Sequence, residues 1–89
     1  MRLNLRQLKY FRTIAEYEHY TRAAEELSAH QSSLSHAVQS LERELGVDLF
    51  VRSGRNVVLS QYGKMFLPHV VKVLDELEAG AAELRRNIQ

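Results

Sequence analysis

Apolar residues recur at helical spacing along most of this chain, and one short interval alternates like paired strands instead. Leu5, Leu8, Phe11, Ile14 and Ala15 mark the buried face of a first helix, about Leu5 to Glu18. Ala23, Ala24 and Leu27 give a second, shorter helix a face small enough for a neighbour to approach closely. Leu34, Val38, Leu41 and Leu45 form the 3.6-residue stripe of a third. Thr21 is the expected N-cap of the second helix, and Gly46 before Val47 suits a left-handed C-cap on the third. Only Ser28 to Gln31 separates these two helices, so the pair reads as a helix-turn-helix.

The period changes after Gly46. Asp48 to Val51 and Val57 to Leu59 are β-prone runs around a turn at Ser53, Gly54, Arg55 and Asn56. A two-stranded ribbon is marginal alone, so Leu49, Phe50 and Leu59 are expected to pack it onto the helices. Ser60 then caps a helix running from Gln61 almost to the C-terminus. Its apolar positions Leu67, Val70, Leu74, Leu77, Ala81, Leu84 and Ile88 alternate spacings of three and four, the mark of a heptad seam. Roughly 28 residues at 1.5 Å each make a rod of about 42 Å, longer than so small a domain covers. A homodimer through this helix follows. Pro68 threatens a bend or a restart near Val70, and packing against the first helix competes for the seam's N-terminal half around Phe66 and Val70.

The predicted fold is thus mainly α: a winged helix-turn-helix over residues 1–60, three helices plus a hairpin wing, then a dimerisation helix over 61–89. Tyr10, Tyr17 and Tyr20 fit packing better than base stacking. Eighty-nine residues allow one small core. With no cysteine, disulfides and thiolate metal sites are excluded, and no apolar run approaches the ~20 residues of a membrane span. A cytoplasmic protein is the simplest expectation.

Chemistry enters with the third helix. From Leu27 to Leu41 there is no Asp, Glu, Lys or Arg, in a chain where 26% of residues are charged. Ser32, Ser33, Ser35 and His36 open the helix, with Gln39 and Ser40 one turn on. Such side chains can answer the donor and acceptor pattern of the major groove, without the repulsion a carboxylate meets near phosphate. A serine-rich start that merely caps a helix is the alternative. Net charge is only +1, but it is segregated. Arg2, Arg6, Lys9 and Arg12 precede the first acid, and Arg52, Arg55, Lys64 and Lys72 lie in an acid-free stretch from Leu49 to Leu74. Local field governs phosphate binding. Arg55 at the wing tip would suit a narrow minor groove. Arg52 would contact phosphate, pair with Glu42 or Glu44, or do both.

The motifs LRQLKYF, TRAAEEL, the Gln31 turn, LSHAVQSLERELGVDLFVR and LSQYG together resemble the N-terminal DNA-binding region of LysR-type transcriptional regulators, across essentially the whole chain. That resemblance implies a recognition helix starting just after Gln31 and an antiparallel pairing of the long helix. It implies base or phosphate contacts at Gln31, Ser33, Ser35 and His36, and minor-groove entry by Arg55. It further implies double-stranded DNA bearing an interrupted inverted repeat as the partner. Ser32 stands where proline is frequent and His36 where arginine is frequent, which alters hydrogen bonding and charge at the reading surface. His30 replaces a commoner small residue. Family members continue into an effector-binding domain, so a small-molecule effector is expected only in a regulatory domain that these residues lack.

Other function classes are weaker. A winged helix could dock a protein through its long helix, which competition by DNA and the effect of Arg55→Ala would distinguish. His19, His30, His36 and His69 have no metal-ligand spacing, and no phosphate loop or nucleophile elbow occurs, so neither a cofactor nor an enzyme is expected.

Overall fold

The computed structural model describes residues 1–54 and 56–88. Its elements run α1 (Leu5–Tyr17), α2 (Tyr20–Leu27), α3 (Gln31–Leu45), β1 (Phe50–Ser53), β2 (Asn56–Leu59) and α4 (Gln61–Asn87).

Local hydrogen bonding explains where each helix starts and stops. α1 opens with a reciprocal capping box: Gln7 N donates to Asn4 Oδ1 at 2.8 Å, and Asn4 N donates to Gln7 Oε1 at 3.1 Å. It ends at Glu18, in the left-handed region at φ 53°. α2 begins earlier than expected from Thr21. Its N-cap is His19, whose Nδ1 accepts from Arg22 N at 3.2 Å, and Thr21 lies inside the helix. Ser28 closes α2 with φ 51°, and α3 follows at once with Gln31 as its first residue rather than the last of the turn. Gly46 caps α3 as anticipated, at φ 78°, its N–H donating to Glu42 O at 2.7 Å.

β1 and β2 pair antiparallel from Phe50↔Leu59 to Ser53↔Asn56. The first strand starts two residues later than the sequence pattern implied. Leu49 makes only half of the next ladder pair: its carbonyl accepts from its cross-strand partner Ser60 N at 2.8 Å, but its N–H is diverted to Glu42 Oε2 at 2.6 Å. Those bonds, with Ser60 Oγ donating to Asp48 O at 2.6 Å and accepting from Gly63 N at 3.0 Å, tie α3, the hairpin and the start of α4 into one junction.

The core lies around α1 and has two parts. Tyr10, Ile14, Ala23, Ala24, Leu34, Val38 and Val57 join α1 to α2, α3 and β2. Leu8, Phe11, Leu41, Leu49, Val70 and Leu74 join α1 to α3 and α4. Phe11 is fully buried, its ring centroid 5.4 Å from that of Phe50 and 5.7 Å from that of Phe66. Leu5 departs from expectation: it is exposed, standing at the first helical position before α1 reaches its neighbours. Leu49 is fully buried, Phe50 and Leu59 are half-buried, and the buried Val57 was not anticipated.

The apolar seam of α4 divides. Val70 and Leu74 are 2% and 6% exposed within this chain's own core, and Leu67 packs against its edge, so these three are occupied by α1 and α3. Beyond them Leu77, Leu84 and Ile88 are 50%, 68% and 72% exposed, with Ala81 half-buried. Pro68 does not interrupt the helix. Its missing N–H leaves the Lys64 carbonyl on an exposed side, while Phe66, Leu67 and Val70 hold the flanking turns to the core.

Candidate nucleic-acid interface

Packing decides which face of α3 is free. Leu34, Val38 and Leu41 point into the core, so the opposite side, bearing Ser32, Ser33, His36 and Gln39, is exposed. Arg43 lies one turn past Gln39 on the same side and is exposed too. Four-residue spacing from Gln39 is the sequence signal that places Arg43 there. Gln31 is anchored rather than loose: its Nε2 donates to Thr21 Oγ1 at 2.8 Å, bridging the starts of α2 and α3. Thr21, expected as the cap, therefore orients Gln31 instead. His30 is the N-cap of α3 but makes no side-chain capping bond.

Between α3 and the hairpin runs an open cleft of ≈ 640 Å³, lined on one wall by Gln31, Ser32, Ser35 and Gln39 and on the other by Val51 and Arg52. The hairpin thus stands beside the exposed face of α3, as a wing does. Arg55 lies outside the described residues; its described neighbour Gly54, at φ 64°, makes the tight turn toward the tip.

Among the described residues that line the cleft, Glu42 is the one acid and Arg52 the one Arg or Lys, and a Glu42 carboxylate oxygen accepts from Leu49 N at 2.6 Å. Arg52 does not pair with Glu42 or Glu44 as one reading had it: Glu44 Oε1 instead accepts from Arg2 N at 2.6 Å. Among the described residues the ion pairs are Arg12 with Asp75 and Arg85 with Glu78, both at 3.5 Å. Arg52 is exposed, facing the cleft with its charge uncompensated by a contact. At the cleft floor, burial pushes the Tyr20 phenol above its ordinary value, Glu42 adds to the rise and Arg52 opposes it, so Tyr20 stays a neutral hydroxyl. Among the described residues no group of His, Asp and Glu could hold a metal ion, and no helix is long and apolar enough to cross a membrane.

Three helices, a wing beside the exposed face of the third and a polar, acid-poor reading surface define a winged helix-turn-helix DNA-binding domain. Residues 5–64 match the family described as bacterial regulatory helix-turn-helix protein, lysR family. The chain belongs to that family, and it is the DNA-binding region. The HTH-type transcriptional regulator YybE of Bacillus subtilis is 44% identical over 79 residues, 89% of this chain and 27% of YybE. Among solved structures, a Corynebacterium glutamicum OxyR C206 mutant superposes with TM-score 0.93 at 39% identity, covering all of this chain and 29% of that one. The DNA complex of the BenM DNA-binding domain with benA site 1 gives TM-score 0.89 at 32% identity, covering 97% of this chain and 100% of that one. The chain therefore spans a little over a quarter of the length of the curated relatives it matches.

Proposed function

We propose that this chain reads double-stranded DNA as a homodimer, each protomer placing α3 in a major groove of an interrupted inverted repeat. The observation that carries the reading is the cleft itself. Gln31, Ser32, Ser35 and Gln39 face Arg52 across a space open to solvent, with only one acid nearby. Ser33 and His36, exposed on the same helix, contact base edges. The hairpin tip, where Arg55 stands in the sequence, is directed to the flanking minor groove. Arg52 serves phosphate, since neither Glu42 nor Glu44 holds it. Similarity to a BenM domain solved with DNA supports the partner class.

The exposed half of α4 carries the dimer. Leu77, Ala81 and Leu84 continue the apolar stripe past the point where Val70 and Leu74 enter the core, with Ile88 in extended backbone just beyond the helix, and an antiparallel pairing would cover them. Two heads fixed on such a pair would meet a two-fold DNA site. The protein acts as a regulator of transcription in the bacterial cytoplasm, and any small-molecule effector binds outside these residues. Selection of duplexes from a random pool at near-physiological salt tests the reading. An enriched two-fold repeat is expected, with Ser33→Ala and His36→Ala each losing about 1 to 3 kcal/mol and relaxing preference at one position. Unchanged affinity and preference in both variants would refute the assignment of α3.

A further inference from the structure

The flank of α3 away from the hairpin is built on α1. Gln7 Nε2 donates to Ser40 Oγ at 3.1 Å, fixing the first turns of α1 beside the middle of α3. Ser40 follows Gln39, so the two project about 100° apart around the helix. Gln39 lines the hairpin-side cleft, and Ser40 meets α1. One residue before Gln7 stands Arg6. Its Nε donates to Tyr10 Oη at 3.1 Å, and its guanidinium carbon lies 5.7 Å from the centroid of the Tyr10 ring. Tyr10 is itself 8% exposed and shares a core cluster with Leu34 and Val38 of α3, so the support does not swing.

This arrangement orients a cation without neutralising it. The phenol is an uncharged acceptor, Arg6 is exposed, and it takes part in neither ion pair found among the described residues. Glu44, the acid on this side of α3, accepts from the Arg2 backbone N–H instead. Arg2 and Lys9 are exposed on the same stretch and add to the positive field. A guanidinium held by Nε still presents its terminal N–H groups, the pair that grips two phosphate oxygens at once.

We propose that Arg6 is a second phosphate clamp, gripping the DNA backbone on the α1 side of the groove while the hairpin attends to the other side. The inference rests on α3 occupying the major groove. Its consequence is that α3 is held from both flanks, so its register depends on α1 as well as on the wing. Tyr10 is a positioning residue here, acting through Arg6.

The test measures affinity of the intact chain for a selected duplex and for an unrelated duplex across a salt series. Arg6→Gln is expected to weaken both duplexes by the same factor and to flatten the plot of log K against log salt by about 1.8, one phosphate contact from each protomer of the dimer, while the melting temperature holds. Tyr10→Phe keeps the ring and removes the acceptor. It should weaken binding by a smaller factor and leave the slope unaltered. Arg86→Gln, an equal loss of charge in the last turn of α4, should leave the slope as it was. If Arg6→Gln kept the wild-type slope, or if Arg86→Gln flattened it equally, the clamp would be wrong while the DNA reading stood. Absence of duplex binding by the unaltered chain would overturn both.

Discussion

Replacing Gly63 with alanine tests the junction beneath the reading surface. A Cβ built there would collide with the backbone carbonyl oxygen of Leu49, with the Leu49 carbonyl carbon 3.1 Å away and Leu59 Cδ2 at 2.8 Å. The leucine methyl can rotate aside, but the peptide cannot. Leu49 O accepts from Ser60 N at 2.8 Å and Leu49 N donates to Glu42 Oε2 at 2.6 Å, so moving this peptide breaks the junction. Overpacking of this kind costs about 1 to 3 kcal/mol, and a buried group stripped of its partner costs about 1 to 3 kcal/mol more. Alanine returns at most ~1 kcal/mol in helix propensity. The net expectation is a loss of about 1 to 5 kcal/mol, which at about 4 to 8 °C per kcal/mol lowers the melting temperature of a domain this size by roughly 5 to 40 °C. Thermal and urea melts followed by circular dichroism measure it. Adding Leu59→Ala should not restore stability, because the backbone contact remains. A Gly63→Ala melt matching the wild type would refute the reasoning, and rescue by Leu59→Ala would move the cause from backbone to side chain.

Three further outcomes follow from the same geometry. Ser60→Ala removes both the cap on Gly63 N and the bond to Asp48 O, and should cost about 1 to 2 kcal/mol in the same melts; an unchanged urea midpoint would show that the junction does not depend on this hydroxyl. Leu77→Asp, at a side chain 50% exposed, should reduce the light-scattering mass from two chains to one while leaving the fold intact; a wild type that is already one chain at micromolar concentration would rule out the paired helix. The Tyr20 phenol is held above its ordinary 10.0, chiefly by burial. The folded state therefore keeps that proton longer than the unfolded chain, so the associated stability is complete below pH 10 and is lost as pH climbs through the folded value. Tyr20→Phe should flatten that alkaline decline in the urea midpoint, and an identical decline in both proteins would place its origin elsewhere.

Most of the architecture was legible because it rests on periodicity. Leu34, Val38 and Leu41 repeat every three or four residues, and nothing in the fold overrides them. Gly46 and Ser60 act as caps for local reasons visible in their neighbours. What was not legible depended on contacts between distant residues. His19 displaces Thr21 as the cap of α2, and Thr21 is used instead to hold Gln31, ten residues away in sequence. The first strand is shortened because the Leu49 N–H is taken by Glu42 instead of its cross-strand partner Ser60. Gln7 is buried and polar, which no hydrophobic pattern reveals, because it completes a capping box and reaches Ser40 as well. The seam of α4 reads as continuous in sequence, since a core leucine and a solvent-facing leucine are chemically the same residue. Only the position of α1 separates Leu74 from Leu77. The exposure of Ser32, Ser33, His36 and Gln39 agrees with their place in the charge-free opening of α3, whereas the position of Arg6 beside that helix depends on the placement of α1.

The rooting of α4 has a mechanical consequence. The helix is clamped where Val70 and Leu74 enter the core and free beyond, which makes it a cantilever rather than a hinge arm. From Leu74 to Asn87 the free length is about 20 Å at 1.5 Å per residue. A tilt of roughly 10° at the clamp displaces the tip by about 3.5 Å, a good part of one helical turn. The motion also works in reverse. A push of that size at the tip turns the clamp, and with it the junction of Leu49, Ser60 and Gly63 that fixes the hairpin beside α3. In the homodimer proposed above, the stiffness of this root would therefore contribute to the angle between the two heads.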